Sequence, residues 1–179
     1  MKINMVSKDF SVWEIEGFDL PEVSFDNGEH YDQGAGDPEL RNSVNIIGDS
    51  SNFFATWKKY TDELEEKVKK DSANNILLRQ MWMDELEKFK WADTGTVRLL
   101  KDFSGFNMYY HVDNRLILGV LLINLIDNVD STEFENGYVA PKKKGTGIFM
   151  LNNNDYHKIN VTTDRLVGYQ TLSVKDCLK

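Results

Sequence analysis

Apolar residues recur with helical spacing between residues 52 and 90. In the first of two segments the apolar side chains form one stripe and charged residues cover the opposite side; the stripe consists of Phe53, Trp57, Tyr60, Leu64 and Val68. This pattern is typical of a helix that packs one face on a core. Residues 48–51 supply Asp and Ser side chains suited to capping a helix. We therefore predict one helix from there to about Lys70, and a second over residues 75–90.

Segments with a strand-like pattern lie on both sides of these helices. We predict strands at residues 10–18 and 42–47 before the helices, and at residues 97–103, 108–112, 116–126, 146–151 and 167–174 after them. Residues 19–38 are rich in Gly, Asp, Asn and Glu and contain two prolines, which indicates a long loop or lid. Helices grouped ahead of antiparallel strands favour an α+β jelly roll, in which two sheets enclose a cavity and two helices pack on one outer face.

Composition narrows the class of protein. With 179 residues the chain is long enough for one domain and too short for two of ordinary size, so we expect a single domain over residues 1–179. A net charge of −8 argues against a nucleic-acid or anionic membrane surface. The single cysteine, Cys177, agrees with a reducing compartment. We find no signal-like segment and no apolar run long enough to cross a membrane, and we therefore expect a cytoplasmic protein.

Polar residues in the strand-rich half suggest a metal site. His111 and Asp113 are two residues apart, and on a strand such residues point to the same side. A distant strand carrying His157 would supply a third ligand. Two imidazoles and one carboxylate suit a ferrous ion that activates dioxygen, because they leave other coordination positions open. If residues 159–164 contain a hairpin turn, Arg165 lies on an antiparallel strand next to that of His157, and both side chains face one interior.

The same residues fall on two longer motifs. The run Gly-x-x-Met-x-x-His-x-Asp is matched by Gly105, Met108, His111 and Asp113, and the run Gly-x-x-x-Phe-x-x-Asn is matched by Gly145, Phe149 and Asn152, followed by His157 and Arg165. This pattern, over residues 94–175, resembles the Fe(II)/2-oxoglutarate-dependent dioxygenases. More narrowly, it resembles their prolyl-4-hydroxylase-like branch, which includes small phage-encoded members.

The resemblance implies a fold, a reaction and a role for each residue. The fold is a double-stranded β-helix, and the reaction couples oxidative decarboxylation of 2-oxoglutarate by dioxygen to hydroxylation of a C–H bond. His111, Asp113 and His157 would hold Fe(II). Arg165 would bind the distal carboxylate of 2-oxoglutarate as a bidentate pair, and Tyr109 would add a hydroxyl to that anion or lie near the metal. The implied substrate is peptidyl proline, although a small molecule remains open because specificity resides in loops. The implied location is the cytoplasm, for a phage protein that of the infected bacterial cell.

Other interpretations stay open from the sequence. The chain could be a noncatalytic jelly-roll module with a binding or structural role, or a cupin-like metalloenzyme that needs no 2-oxoglutarate; the lack of an HxH pair disfavours the second. His111 and Asp113 could be an ordinary polar pair. Arg165 could be a surface residue paired with a neighbouring carboxylate such as Asp164. Tyr109 could be a structural residue on a half-buried strand.

Overall fold

Strands outnumber helices in the part of the chain that the structure describes. A computed structural model describes residues 1–7, 10–25, 28–30, 36–47, 52–74, 96–113, 117–151 and 156–173. Its strands are β1 (Lys2–Ser7), β2 (Phe10–Glu16), β3 (Glu29–His30), β4 (Arg41–Ile47), β5 (Thr96–Asp102), β6 (Asn107–His111), β7 (Ile117–Asn124), β8 (Glu133–Phe134), β9 (Thr146–Leu151), β10 (His157–Asn160) and β11 (Arg165–Ser173). The described part of the chain also contains one α-helix, α1 (Asn52–Ala73), and a short 3-10 helix, Pro38–Leu40. Neither helix is long and apolar enough to cross a bilayer.

The strands form two antiparallel sheets that wall one cavity. The larger sheet has the order β1-β2-β9-β7-β11-β5-β4-β3, and the smaller has the order β6-β10-β8. The cavity has a volume of about 380 Å³, and its lining includes Leu100 and Val167 from the larger sheet and Met108 and Ile159 from the smaller. Two sheets around a cavity with a helix outside constitute the predicted jelly roll, or double-stranded β-helix.

Strand β7, in the middle of the larger sheet, is apolar on both faces. Along β7, Leu121 and Ile123 belong to a buried cluster that includes Trp57 of α1, whereas Val120 and Leu122 line the cavity. Successive strand residues point to opposite faces, so one strand serves both the helix interface and the cavity wall. Burial on both faces explains why β7 carries no polar side chain before Asn124.

The first predicted helix is confirmed, and the second lies outside the described residues. Helix α1 ends three residues beyond the predicted end, and it buries the apolar stripe Phe53, Trp57, Leu64 and Val68. Its last turn is tied to β2, since the Trp13 indole donates to Asp71 at 2.9 Å. The predicted cap at residues 48–51 also lies outside the described part of the chain. The seven predicted strands correspond to β2, β4, β5, β6, β7, β9 and β11.

Gly168 lets α1 approach β11. A Cβ atom at this position would lie 2.5 Å from the Trp57 ring, and that ring is fixed because its indole nitrogen donates to Gln170 at 2.7 Å. We therefore expect Gly168→Ala to reduce the free energy of unfolding by about 1–3 kcal/mol, the usual cost of overpacking a core. Urea denaturation followed by circular dichroism measures this loss. The same substitution in a Trp57→Phe background should cost less, and an equal cost in both backgrounds would contradict the steric explanation.

One topological prediction is wrong. Strands β10 and β11 follow each other in the chain, but they are not antiparallel neighbours: β10 pairs with β6 and β8, and β11 pairs with β5 and β7. The backbone continues the smaller sheet past β10, since Val161 donates to the Phe106 carbonyl at 2.9 Å. Residues 162–164 then cross to the larger sheet. His157 and Arg165 nevertheless both line the cavity, as predicted.

Candidate metal centre and anion site

His111, Asp113 and His157 converge at the smaller sheet. Strand pairing places His157 directly opposite His111, and their ring centroids are 4.4 Å apart. Asp113 follows the end of β6, and its Oδ1 atom lies 3.9 Å from His111 Nε2 while its Oδ2 atom lies 3.9 Å from His157 Nε2. One candidate ligand atom from each residue lies within 4.8 Å of the others. Ligands bound about 2.1 Å from a common ion are roughly 3–4 Å apart, so these side chains need only a small contraction to hold a metal.

A backbone contact sets the tautomer of His111. Its Nδ1 atom lies 2.8 Å from the carbonyl oxygen of Tyr109. A carbonyl only accepts hydrogen bonds, so Nδ1 carries a proton, and in the neutral ring Nε2, which lies 3.9 Å from Asp113 Oδ1, is the nitrogen that can bind a metal. Metal-binding histidines are commonly oriented in this way. The partner ring of His157 is buried and packs beside Phe134, with centroids 5.7 Å apart.

Arg165 belongs to a buried charged row on the larger sheet. Asp102, at the end of β5, is paired in register with Arg165 of β11 and with Arg41 of β4. Arg41 donates through Nε and Nη2 to both carboxylate oxygens of Asp102, and Arg165 donates through Nη1 to one of them at 3.1 Å. All three residues are buried. The surface interpretation of Arg165 is therefore wrong, because its partner is a buried carboxylate and not Asp164.

The environment of Arg165 favours an anion. Burial lowers the pKa of its guanidinium, Asp102 acts in the opposite direction, and Arg41 adds to the lowering. Arginine nevertheless stays protonated in proteins. Two guanidiniums share one carboxylate, so the row has one net positive charge, and the buried Nε atom of Arg165 has no hydrogen-bond partner. An unsatisfied buried donor is costly, and the same guanidinium group belongs to a residue that lines the cavity, where an anion could bind it.

The structure does not bring the Tyr109 side chain into the cavity. This side chain is 76% exposed and is not part of the cavity lining. A contact between its hydroxyl and the cosubstrate stays a prediction that this placement does not favour. Its backbone contributes instead, through the carbonyl group that orients His111.

Several lining residues were not predicted from the sequence. The polar ones are Arg41, Thr132, Lys158 and Tyr169. Lys158 lies beside His157 in the chain and pairs with Glu133 at 3.2 Å. Arg41 and Tyr169 could have been considered as lining residues, since both fall in or beside predicted strands. Their direction toward the cavity depends on strand register, which the sequence does not reveal.

Asp130 stabilises the crossing between the two sheets. Its carboxylate accepts hydrogen bonds from the backbone nitrogen and hydroxyl of Thr162, at 2.6 and 2.9 Å, and from the backbone nitrogen of Thr163 at 3.2 Å. Burial acts to raise the pKa of this carboxyl, but the hydrogen bonds outweigh it and the pKa is lowered. The carboxylate therefore stabilises the fold above the usual aspartate pKa, and this contribution disappears as the pH falls through the lowered value.

We expect Asp130→Asn to reduce the free energy of unfolding by about 1 kcal/mol at pH 7, since the site is partly exposed to solvent. Denaturant titrations between pH 7 and pH 3 compare the two proteins. The stability gap should narrow toward the acid end, because protonation removes the advantage of the carboxylate. A gap that is constant over this pH range would contradict the proposed role of the charge.

Comparison with known proteins identifies the fold. No family model and no curated protein matches the chain. Among solved structures, a prolyl-4-hydroxylase from Pseudomonas putida is similar with a TM-score of 0.52 and 9% identity, over 75% of this chain and 72% of that one. A prolyl hydroxylase from Trichoplax adhaerens, in complex with a peptide fragment of hypoxia inducible factor, is similar with a TM-score of 0.51 and 12% identity, over 76% of this chain and 64% of that one. The fold is thus the one that the sequence motifs predict.

Proposed function

We propose that the protein is an Fe(II)- and 2-oxoglutarate-dependent hydroxylase of the prolyl-4-hydroxylase-like kind. The observation that carries this proposal is one cavity lined by two histidines and an aspartate, whose candidate ligand atoms lie within 4.8 Å of one another, and also by a buried arginine with an unsatisfied donor. A metal cluster alone would suit many binding proteins. An anion site in the same cavity suits a cosubstrate that chelates the metal at one end and has a carboxylate at the other.

Each side chain has a distinct task under this proposal. His111, Asp113 and His157 would hold Fe(II), and the proton on His111 Nδ1 keeps its Nε2 atom available to the metal. Arg165 would bind the distal carboxylate of 2-oxoglutarate through charge-assisted hydrogen bonds. When bound, Fe(II) and 2-oxoglutarate supply the oxidation of a C–H bond by dioxygen. The apolar wall around Leu122 limits water in the cavity, which strengthens these electrostatic contacts.

The substrate is proposed to be a prolyl peptide or a small molecule. Tyr109 and Tyr110 precede His111, and Tyr156 precedes His157; all three tyrosines are exposed. None of the three lines the cavity, so they support no contact with a substrate held at the metal. The Trichoplax protein binds a peptide fragment on the same fold, which supports a peptide substrate here.

Anaerobic titration tests the proposal. Purified protein is titrated with Fe(II) and then with 2-oxoglutarate in a calorimeter, and succinate is measured after air is admitted. We expect one Fe(II) per chain, 2-oxoglutarate binding that depends on the metal, and succinate formation. Absence of both binding events would favour a noncatalytic jelly-roll module. Iron binding with no response to 2-oxoglutarate would favour a cupin-like metalloenzyme.

Arg165→Met should weaken the binding of 2-oxoglutarate but not that of Fe(II). Asp102 keeps its bidentate partner Arg41 in this variant, so no buried charge is left unbalanced and the protein should fold. The loss of charge-assisted hydrogen bonds predicts a dissociation constant for 2-oxoglutarate at least about 10-fold higher. The affinity for Fe(II), measured in the same titration, should be unchanged. An unaltered 2-oxoglutarate affinity would show that the cosubstrate is anchored elsewhere.

A further inference from the structure

The charged row contains more than the anchor that the proposed function requires. Arg165 would need no partner to bind a carboxylate, yet it donates to the fully buried Asp102. Asp102 carries the same negative charge as the cosubstrate carboxylate and competes with it for Arg165. In a buried environment such competition is strong, because opposite charges attract far more there than in water. A row of only Asp102 and Arg165 would be neutral and would attract an anion poorly.

Arg41 changes this balance. It donates to both oxygens of Asp102, whereas Arg165 donates to only one of them. The Arg41 guanidinium is itself fixed, since it lies 4.1 Å from the centroid of the Phe106 ring. Both arginines line the cavity, but Asp102 does not. The carboxylate thus lies behind two cations, and the cavity wall presents one net positive charge.

We propose that Arg41 is a positioning residue that sets the charge of the cosubstrate pocket. By pairing with Asp102 it leaves one net positive charge at the cavity wall for a single carboxylate. This inference rests on the proposed function, because it assumes a dicarboxylic cosubstrate. It predicts that the net charge of the row, more than the identity of residue 41, determines the preference for a ligand with a distal carboxylate.

Binding to Mn(II)-loaded protein tests this idea without turnover. The dissociation constants of 2-oxoglutarate and of 2-oxopentanoate, which has the same 2-oxo acid end but no distal carboxylate, are measured by calorimetry. Their ratio reports the preference for the distal carboxylate. Arg41→Gln makes the row neutral and should reduce this preference at least about 10-fold. The affinity for 2-oxopentanoate should not change.

Two further variants restore the charge. Arg41→Gln combined with Asp102→Asn leaves Arg165 as the single charge of the row, and the preference should return to within about 3-fold of the wild-type ratio. Arg41→Lys keeps the charge directly and should also retain the preference, so the proposal stays testable if Arg41→Gln folds poorly. Arg98→Gln is the matched control, because Arg98 lies on β5 but is bonded to Asn45 at an exposed position.

The outcomes separate the two proposals. Wild-type protein that shows no preference for 2-oxoglutarate over 2-oxopentanoate would refute the proposed function itself. A wild-type preference that survives in Arg41→Gln would overturn the inference about Arg41 and leave the function standing. A double variant as poor as Arg41→Gln would also overturn it, because the charge of the row would then not explain binding. Thermal unfolding of every variant confirms that the compared proteins are folded.

Discussion

Asp113→Ala is expected to abolish Fe(II) binding. Asp113 is the only carboxylate of the described ligand cluster, and its two oxygens lie 3.9 Å from the two imidazoles. Its removal leaves two neutral ligands, without the charge that offsets the divalent ion. Loss of an outer-shell partner of a metal ligand already costs about 10–100-fold in affinity, so loss of the ligand itself should cost at least about 100-fold. Calorimetric titration with Fe(II) under argon measures this, and succinate formation should fall to background.

The control for this variant is Asp62→Ala on the exposed side of α1. Asp62 is the same residue type as Asp113, but it forms an exposed ion pair with Lys58 and does not line the cavity. It should bind one Fe(II) with wild-type affinity. Thermal unfolding of both proteins checks that they are equally folded, since Asp113 is only partly buried. If Asp113→Ala binds Fe(II) as tightly as the wild type, the metal centre is not where the geometry indicates.

The metal cluster could be predicted from the sequence because its signal is local. His111 is the last residue of β6 and Asp113 follows it by two residues, a separation short enough to keep the two side chains together. The position of His157 opposite His111 is not local, and it was predicted from the motif that the sequence resembles. Strand pairing does place the two histidines opposite each other, and their role as metal ligands stays a prediction. The helix and the long strands could also be predicted from local sequence, since each buries apolar side chains at a regular spacing.

The anion site could be predicted only in part. Arg165 was found, but Arg41 and Asp102 were not, because nothing in their local sequence connects them. Arg41 stands at the start of one strand and Asp102 at the end of another, 61 positions apart. Only the order of strands in the larger sheet makes them neighbours. The assignment of β10 and β11 to one hairpin failed for a related reason, since a short turn between strands does not reveal a change of sheet.

The candidate metal centre and the charged row differ in how far their side chains are exposed to solvent. At the metal centre, His111 and Asp113 are partly exposed, so water can solvate them. At the charged row, Arg41, Asp102 and Arg165 are buried and must satisfy one another. The fold positions the candidate metal ligands, whereas the ion pairs of the charged row also contribute to the stability of the fold. Substitutions at the row should affect stability as well as binding.

Among the substitutions proposed, Asp102→Asn is expected to cause the largest decrease in the free energy of unfolding. The substitution keeps the shape of the side chain but removes the anion that two buried guanidiniums share. Removing one partner of a buried ion pair typically costs about 3–5 kcal/mol, because the remaining charge is desolvated without compensation. Domains of this kind are commonly stable by about 5–15 kcal/mol, so the variant should unfold at a clearly lower urea concentration.

A double-substitution cycle shows whether charge is the cause of this loss. Adding Arg41→Gln to Asp102→Asn removes the excess cation, so the double variant should be more stable than Asp102→Asn alone, although each substitution by itself is destabilising. Asp62→Asn, at an exposed ion pair, should change the free energy of unfolding by less than about 0.5 kcal/mol. Losses that simply add in the double variant would mean that Arg41 and Asp102 act independently. The shared carboxylate predicts the opposite, because one anion that balances two cations cannot be removed without affecting both.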